Sequence, residues 1–133
     1  MKRADVAQMT PLERKALLEE LAAMVATGEF DLGDASRILR STMLGMDRKT
    51  FAHVVKLSTS IIAKLEDEPD ANPTLETLKK VFAPFGGRVV LTFPHIEEPR
   101  PLDDDEKQRR EMLRAALAKS KRPRRRSTES SEG

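Results

Sequence analysis

The chain has 133 residues, 35% charged and 4% aromatic, with no Trp, Tyr or Cys. That length suits one compact domain with extensions around a modest aliphatic core, and the lack of cysteine excludes disulfides and thiolate metal sites. No apolar run approaches a membrane span and MKRADVAQMTPLERK lacks a signal-peptide core, so a cytoplasmic protein is expected.

The net charge of +2 hides an asymmetry. Residues 119–133 hold six Lys/Arg and two Glu, so the chain before them nets −2. Nucleic-acid binding would then need positive charge arranged locally.

Thr10-Pro11-Leu12-Glu13 opens the first element. Thr10 can cap, Pro11 suits the first helical position and Glu13 can complete a capping box. Leu17, Leu18, Leu21, Met24 and Val25 then recur at helical spacing up to Gly28. Periodicity favours packing on the domain over a role as a dimer or partner helix.

Residues 32–44 predict a second helix with Ala35, Ile38, Leu39 and Met43 on one face, broken by Gly45. Asp47 can cap a third helix, RKTFAHVVK, with Phe51, Ala52 and Val55 inward. Ser58 caps a fourth, with Ile62 and Leu65 inward, and the acidic EDEPDANP is a loop. Thr74 opens a fifth, LETLKKVFA, with Leu75, Leu78, Val81 and Phe82 on its buried stripe and Pro84 and Gly86-Gly87 as its stop.

RVVLTF is rich in β-branched residues and reads as a strand with Val89, Val90, Leu91 and Phe93. A single strand cannot satisfy its own backbone, and no other convincing strand is present. The simplest partner is the same strand of a second copy, which predicts a homodimer. A Pro-rich linker follows, then a helix in DDDEKQRREMLRAALAKSK with acidic start, basic end and a thin apolar face (Met112, Leu113, Ala116, Leu117) that orders on contact. The tail KRPRRRSTESSEG reads as disordered. KRPRRR serves equally as a basic arm following phosphates or as a solubilising tail.

Residues 45–66, GMDRKTFAHVVKLSTSIIAKLE, carry the functional signal. Two short helices flank a three- or four-residue turn. Ala52 leaves room for a close crossing, and Ile62 and Leu65 bury the second helix against Phe51 and Val55. Ser58, Thr59, Ser60, Ile61 and Lys64 are left outward. Short hydroxyls allow close approach to DNA, Ile61 can touch a thymine methyl and Lys64 can reach guanine acceptors or a phosphate. From Gly45 to Lys64, Arg48, Lys49, Lys56 and Lys64 oppose only Asp47. Glu66, Asp67, Glu68 and Asp70 follow just past the far end.

Residues 33–83 resemble the lambda-repressor-like helix-turn-helix of the Xre family. Its pattern is met without a gap by Gly45, Met46, Phe51, Ala52, Ser58, Ile62, Leu65 and Glu66. Continuing through NPTLETLKKVFAPFG into a strand, the chain is similar to HipB-type antitoxin repressors, in which a C-terminal strand pairs across the dimer. The resemblance covers about half the chain. It implies base-edge contacts for Thr59, Ser60 and Lys64 and phosphate contacts for Arg48, Lys49 and Ser58; the residues themselves add Ile61 to the base contacts and Lys56 to the phosphate contacts. Asp47 replaces the family's Ser or Thr, Arg48 its usual Gln, and Lys56 its turn Gly. A left-handed Lys56 would cost on the order of 1 kcal/mol.

No enzyme is expected. His53 and His95 lie on different elements without a nucleophile or carboxylate partner, and no phosphate-binding glycine loop is present. EDEPD lacks the ligand alternation and central glycine of a calcium loop. The expected fold is mainly α: a lambda-repressor-like helix-turn-helix bundle with a dimerising C-terminal strand and helical extensions at both ends. Its parts are residues 1–31, an N-terminal helical extension; 32–94, the DNA-binding domain with its strand; 95–120, linker and C-terminal helix; and 121–133, the basic tail. The expected function is a sequence-specific transcriptional regulator, a repressor acting as a homodimer on double-stranded DNA in the bacterial nucleoid, without cofactor. The alternative is the antitoxin of a HipBA-like pair that binds a toxin kinase and represses its own operon.

Overall fold

A computed structural model describes residues 6–91 and 100–120, apart from the side chain of residue 7. Six α-helices order the described residues: α1 (Pro11–Ala26), α2 (Leu32–Ile38), α3 (Arg48–Val55), α4 (Thr59–Asp67), α5 (Leu75–Phe82) and α6 (Asp104–Ser120). The chain is mainly helical, as expected. No helix among the described residues is long and apolar enough to cross a membrane.

Side chains close the helix starts. At α1 the Glu13 N–H donates to Thr10 Oγ1 at 3.1 Å and the Thr10 N–H to Glu13 Oε1 at 2.8 Å, the box read from sequence. Asp31 and Asp34 form a second such box at α2. Asp47, Ser58 and Thr74 accept from the N–H groups of Thr50, Ile61 and Thr77, as a short oxygen-bearing cap should. α2 departs from the expected 32–44 helix. Its α-helical ladder ends at Ile38, and a wider π-helical turn carries Leu39–Met43. The Leu44 N–H donates to Leu39 O at 3.0 Å, and Gly45 breaks the run at φ 63°.

Two apolar clusters form the core. The first joins Leu17, Leu21 and Met24 of α1, Phe30 of the connection that follows, Ala35 and Ile38 of α2, Leu39 of the π turn and Leu113 of α6. The second joins Phe51, Ala52 and Val55 of α3, Ile62 and Leu65 of α4 and Val81 of α5. Phe82 and Phe85 border both clusters, and the Phe85 ring meets Phe51 at 6.5 Å between centroids. The thin face of α6 therefore finds its contact inside the chain. Arg110 pairs with Glu20 across the α1–α6 seam, and Arg114 with Glu29 in the connection after α1.

Leu75 corrects the expected stripe of α5. It stands at the first helical position and is 65% exposed, while Thr77 is buried in its place. From α5 the second cluster takes Val81, with Phe82 packed against it, both in the last turn of the helix. Among the described residues none is in a strand. Residues 88–91 leave α5 without regular structure, and Val90 and Leu91 are exposed. A strand needs a partner for its ladder, and the structure is that of one copy. Phe93 and His95 lie outside the described residues.

Candidate nucleic-acid interface

The local sequence explains how α3 and α4 meet. Phe51, Ala52 and Val55 line one side of α3, and Ala52 adds almost no bulk there. Residues 56–58 then turn the chain. Lys56 adopts the left-handed conformation at φ 62°, ψ 47°, as the missing glycine required. This reversal lets the Leu57 N–H donate to Ala52 O at 2.9 Å and the Lys56 N–H to His53 O at 3.3 Å, a Schellman-type stop. Ser58 follows at once as the cap of α4, accepting from the Ile61 N–H at 3.1 Å.

With Ile62, Leu65 and Glu66 buried, α4 keeps Thr59, Ser60, Ile61 and Lys64 exposed beside Ser58. Lys49, His53 and Lys56 are exposed on α3 and its turn. Seven of the eight residues expected at DNA are thus solvent-facing on two adjoining elements. Asp47 also reaches solvent, and the Thr50 N–H it accepts holds its carboxyl below the usual range.

Arg48 is the exception. Its guanidinium turns inward, donating from Nη1 to Asp67 Oδ2 at 3.0 Å and from Nη2 to Asp67 Oδ1 at 2.6 Å. Its Nε adds a longer contact to Glu66 Oε1 at 3.3 Å. The Asp67 bonds raise the Arg48 pKa; burial opposes them, and the Glu66 charge adds a lesser upward push. The residue expected at a phosphate is therefore held by two carboxylates of its own chain. The reason is geometric: the start of α3 lies beside the end of α4.

Those acids belong to a polar cluster absent from the sequence expectation, which placed them at the start of the acidic loop EDEPDANP. Glu66 is fully buried. Its carboxylate accepts from Ser36 Oγ at 3.0 Å and from Arg40 through Nε at 3.0 Å and Nη2 at 2.8 Å. Arg37 donates from Nη2 to the Glu66 carbonyl at 2.8 Å, and Arg40 from Nη1 to Met46 O at 2.7 Å. Three arginines thus tie α2 and its π turn, α3 and α4 to one point. Ser41 donates its hydroxyl to Arg37 O at 2.6 Å where the ladder widens, an alternative bond that favours such a departure. A signal existed: Arg37 and Arg40 interleave with the apolar stripe of 35, 38 and 39, and Glu66 extends the buried 62–65 stripe.

An open groove of about 300 Å³ lies between α1 and α6, lined by Met9, Leu12, Ala16, Leu17, Arg109 and Met112 among others. It takes no residue from α3 or α4. Val89, Val90 and Leu91 follow α5 in the chain without regular structure. Comparison of the chain with protein-family models, curated proteins and solved structures returns no match.

Proposed function

We propose that the chain is a sequence-specific DNA-binding regulator, a repressor whose α3–turn–α4 unit works as a helix-turn-helix. One observation carries this reading: α4 buries Ile62, Leu65 and Glu66 yet leaves Ser58, Thr59, Ser60, Ile61 and Lys64 exposed beside Lys49 and Lys56. Short side chains on a rigidly seated helix can enter a major groove, and hydroxyls, a methyl-bearing branch and a lysine match the groups displayed there. Lys49, Lys56 and Ser58 flank that face and serve the phosphates. Arg48 becomes a positioning residue, acting through Asp67 and Glu66.

In this reading Val89, Val90, Leu91 and Phe93 pair with their counterparts in a second copy. The dimer then presents two α4 helices to half-sites about 34 Å apart on an inverted repeat. The exposed apolar run at 89–91 supports the strand, because such side chains are normally covered.

The test is fluorescence anisotropy with DNA from upstream of the protein's own gene and with random DNA, over a salt series. Tight, selective binding that weakens with salt is expected. Lys64→Ala should narrow the gap between the two duplexes by about 1–3 kcal/mol, the usual worth of a base contact. A Lys64→Ala variant that weakens both duplexes equally would move Lys64 to a phosphate. Absence of binding to either duplex would overturn the reading.

A further inference from the structure

Asp67 is the last residue of α4. On α4, Ser60, Lys64 and Asp67 fall at positions i, i+4 and i+7, which share one helical stripe. Asp67 therefore continues the line of the proposed base readers. Its side chain is 39% exposed and that of Arg48 is 22% exposed, so their pair lies at the surface edge of the polar cluster. Both Arg48 terminal nitrogens are engaged by the two Asp67 oxygens, the fork-to-fork arrangement that holds a guanidinium most firmly. Arg48 also stands in the first turn of α3, next to exposed Lys49.

We propose that Asp67 is a specificity-determining residue: it withholds the Arg48 guanidinium from the DNA backbone and so limits affinity for DNA of any sequence. This rests on the DNA-reading function proposed above. A cation that reaches a phosphate adds affinity regardless of sequence, and non-operator sites vastly outnumber operators. Pairing Arg48 inside the protein removes one such contact while keeping α3 and α4 in register. Glu66 does not depend on Arg48 for this, because Ser36 Oγ and the Nε and Nη2 of Arg40 already serve its carboxylate at 2.8–3.0 Å. Loss of the Asp67 charge therefore frees both terminal nitrogens of Arg48, whose Nε keeps its 3.3 Å contact to Glu66, while Arg37 gives up a 3.4 Å pair with Asp67 and retains its 2.8 Å bond to the Glu66 carbonyl.

The experiment measures the salt dependence of binding to the upstream and random duplexes for the full chain and for Asp67→Asn, Arg48→Gln and the double variant. Each is first checked for wild-type helicity and melting by circular dichroism. Asp67→Asn should steepen the slope of log K against log salt by about one on both duplexes. Arg48→Gln alone should keep the wild-type slope, and the double variant should return to it. An unchanged slope in a folded Asp67→Asn protein overturns the inference. So does a double variant as steep as Asp67→Asn, since the lost carboxylate would then act without Arg48. If Asp67→Asn does not fold, Arg48→Gln decides: an unchanged slope supports the assignment, and a slope flattened by about one overturns it. Wild-type protein that binds neither duplex overturns the DNA-reading function and this inference together, whereas binding with an unchanged Asp67→Asn slope overturns the inference alone.

Discussion

Lys56 is the one non-glycine residue among those described with positive φ. A side chain in that conformation costs about 1–2 kcal/mol, part of which glycine would return as extra freedom in the unfolded chain. Lys56→Gly is therefore expected to raise stability by roughly 0.5–1 kcal/mol in urea unfolding. The same change should weaken DNA binding at low salt, because it deletes a flanking cation. A variant less stable than wild type would remove strain as the explanation of the turn. Lys56 was legible because the turn geometry is local, set by residues 52–58. The fate of Arg48 was not, although its charge was plain. Its partner Asp67 is 19 positions away, and only the packed angle of two helices brings them together. Local rules fix backbone conformation; long-range packing decides which charges are spent inside the protein.

The helices were the most readable elements. Thr10, Asp47, Ser58 and Thr74 each cap as their chemistry dictates, and the buried residues of α1, α3 and α4 follow the apolar spacing. The π turn after α2 was invisible, since its five-residue ladder serves the burial of Arg40 rather than any apolar period. At α6 the readable dipole pattern understated the anchoring. Asp103 and Glu106 form a reciprocal cap, and Arg100 grips Glu106 through both terminal nitrogens. The Arg100 bonds, then the Asp103 N–H, push the Glu106 carboxyl down to about 2 from 4.5. Glu29, held by Arg114, is lowered in the same direction. A depressed folded value means that the unfolded chain takes up protons first as pH falls. The contribution of Glu106 is thus complete above about 4.5 and disappears as pH drops toward about 2. The urea midpoint is expected to decline across that window, and Glu106→Gln should flatten the decline. An identical acid profile in the variant would show that the cap does not hold α6.

At the scale of the whole molecule, the exposed strip at Val89–Leu91 is the feature that one copy leaves unanswered. Leu91→Asp places a charge in the proposed pairing strand and is expected to shift the protein toward monomer by light scattering at micromolar concentration. A dimer mass that survives the substitution would require another interface. The sequence set residues 1–31 and 95–120 apart from the middle of the chain. Yet α1 and α6 share a cluster with α2, because Leu113 and its neighbours pack on α1 and α2 together. That closure has a temporal consequence. The second cluster draws its buried members from residues 51–81 alone, whereas the first spans Val6 to Leu113, and Glu20 meets Arg110 across a separation of 90 residues. Closing the longer loop costs more chain entropy before any contact repays it. On an emerging nascent chain, then, the α3–α5 unit is able to condense while Leu113 has yet to be synthesised, and the first helix waits for the last.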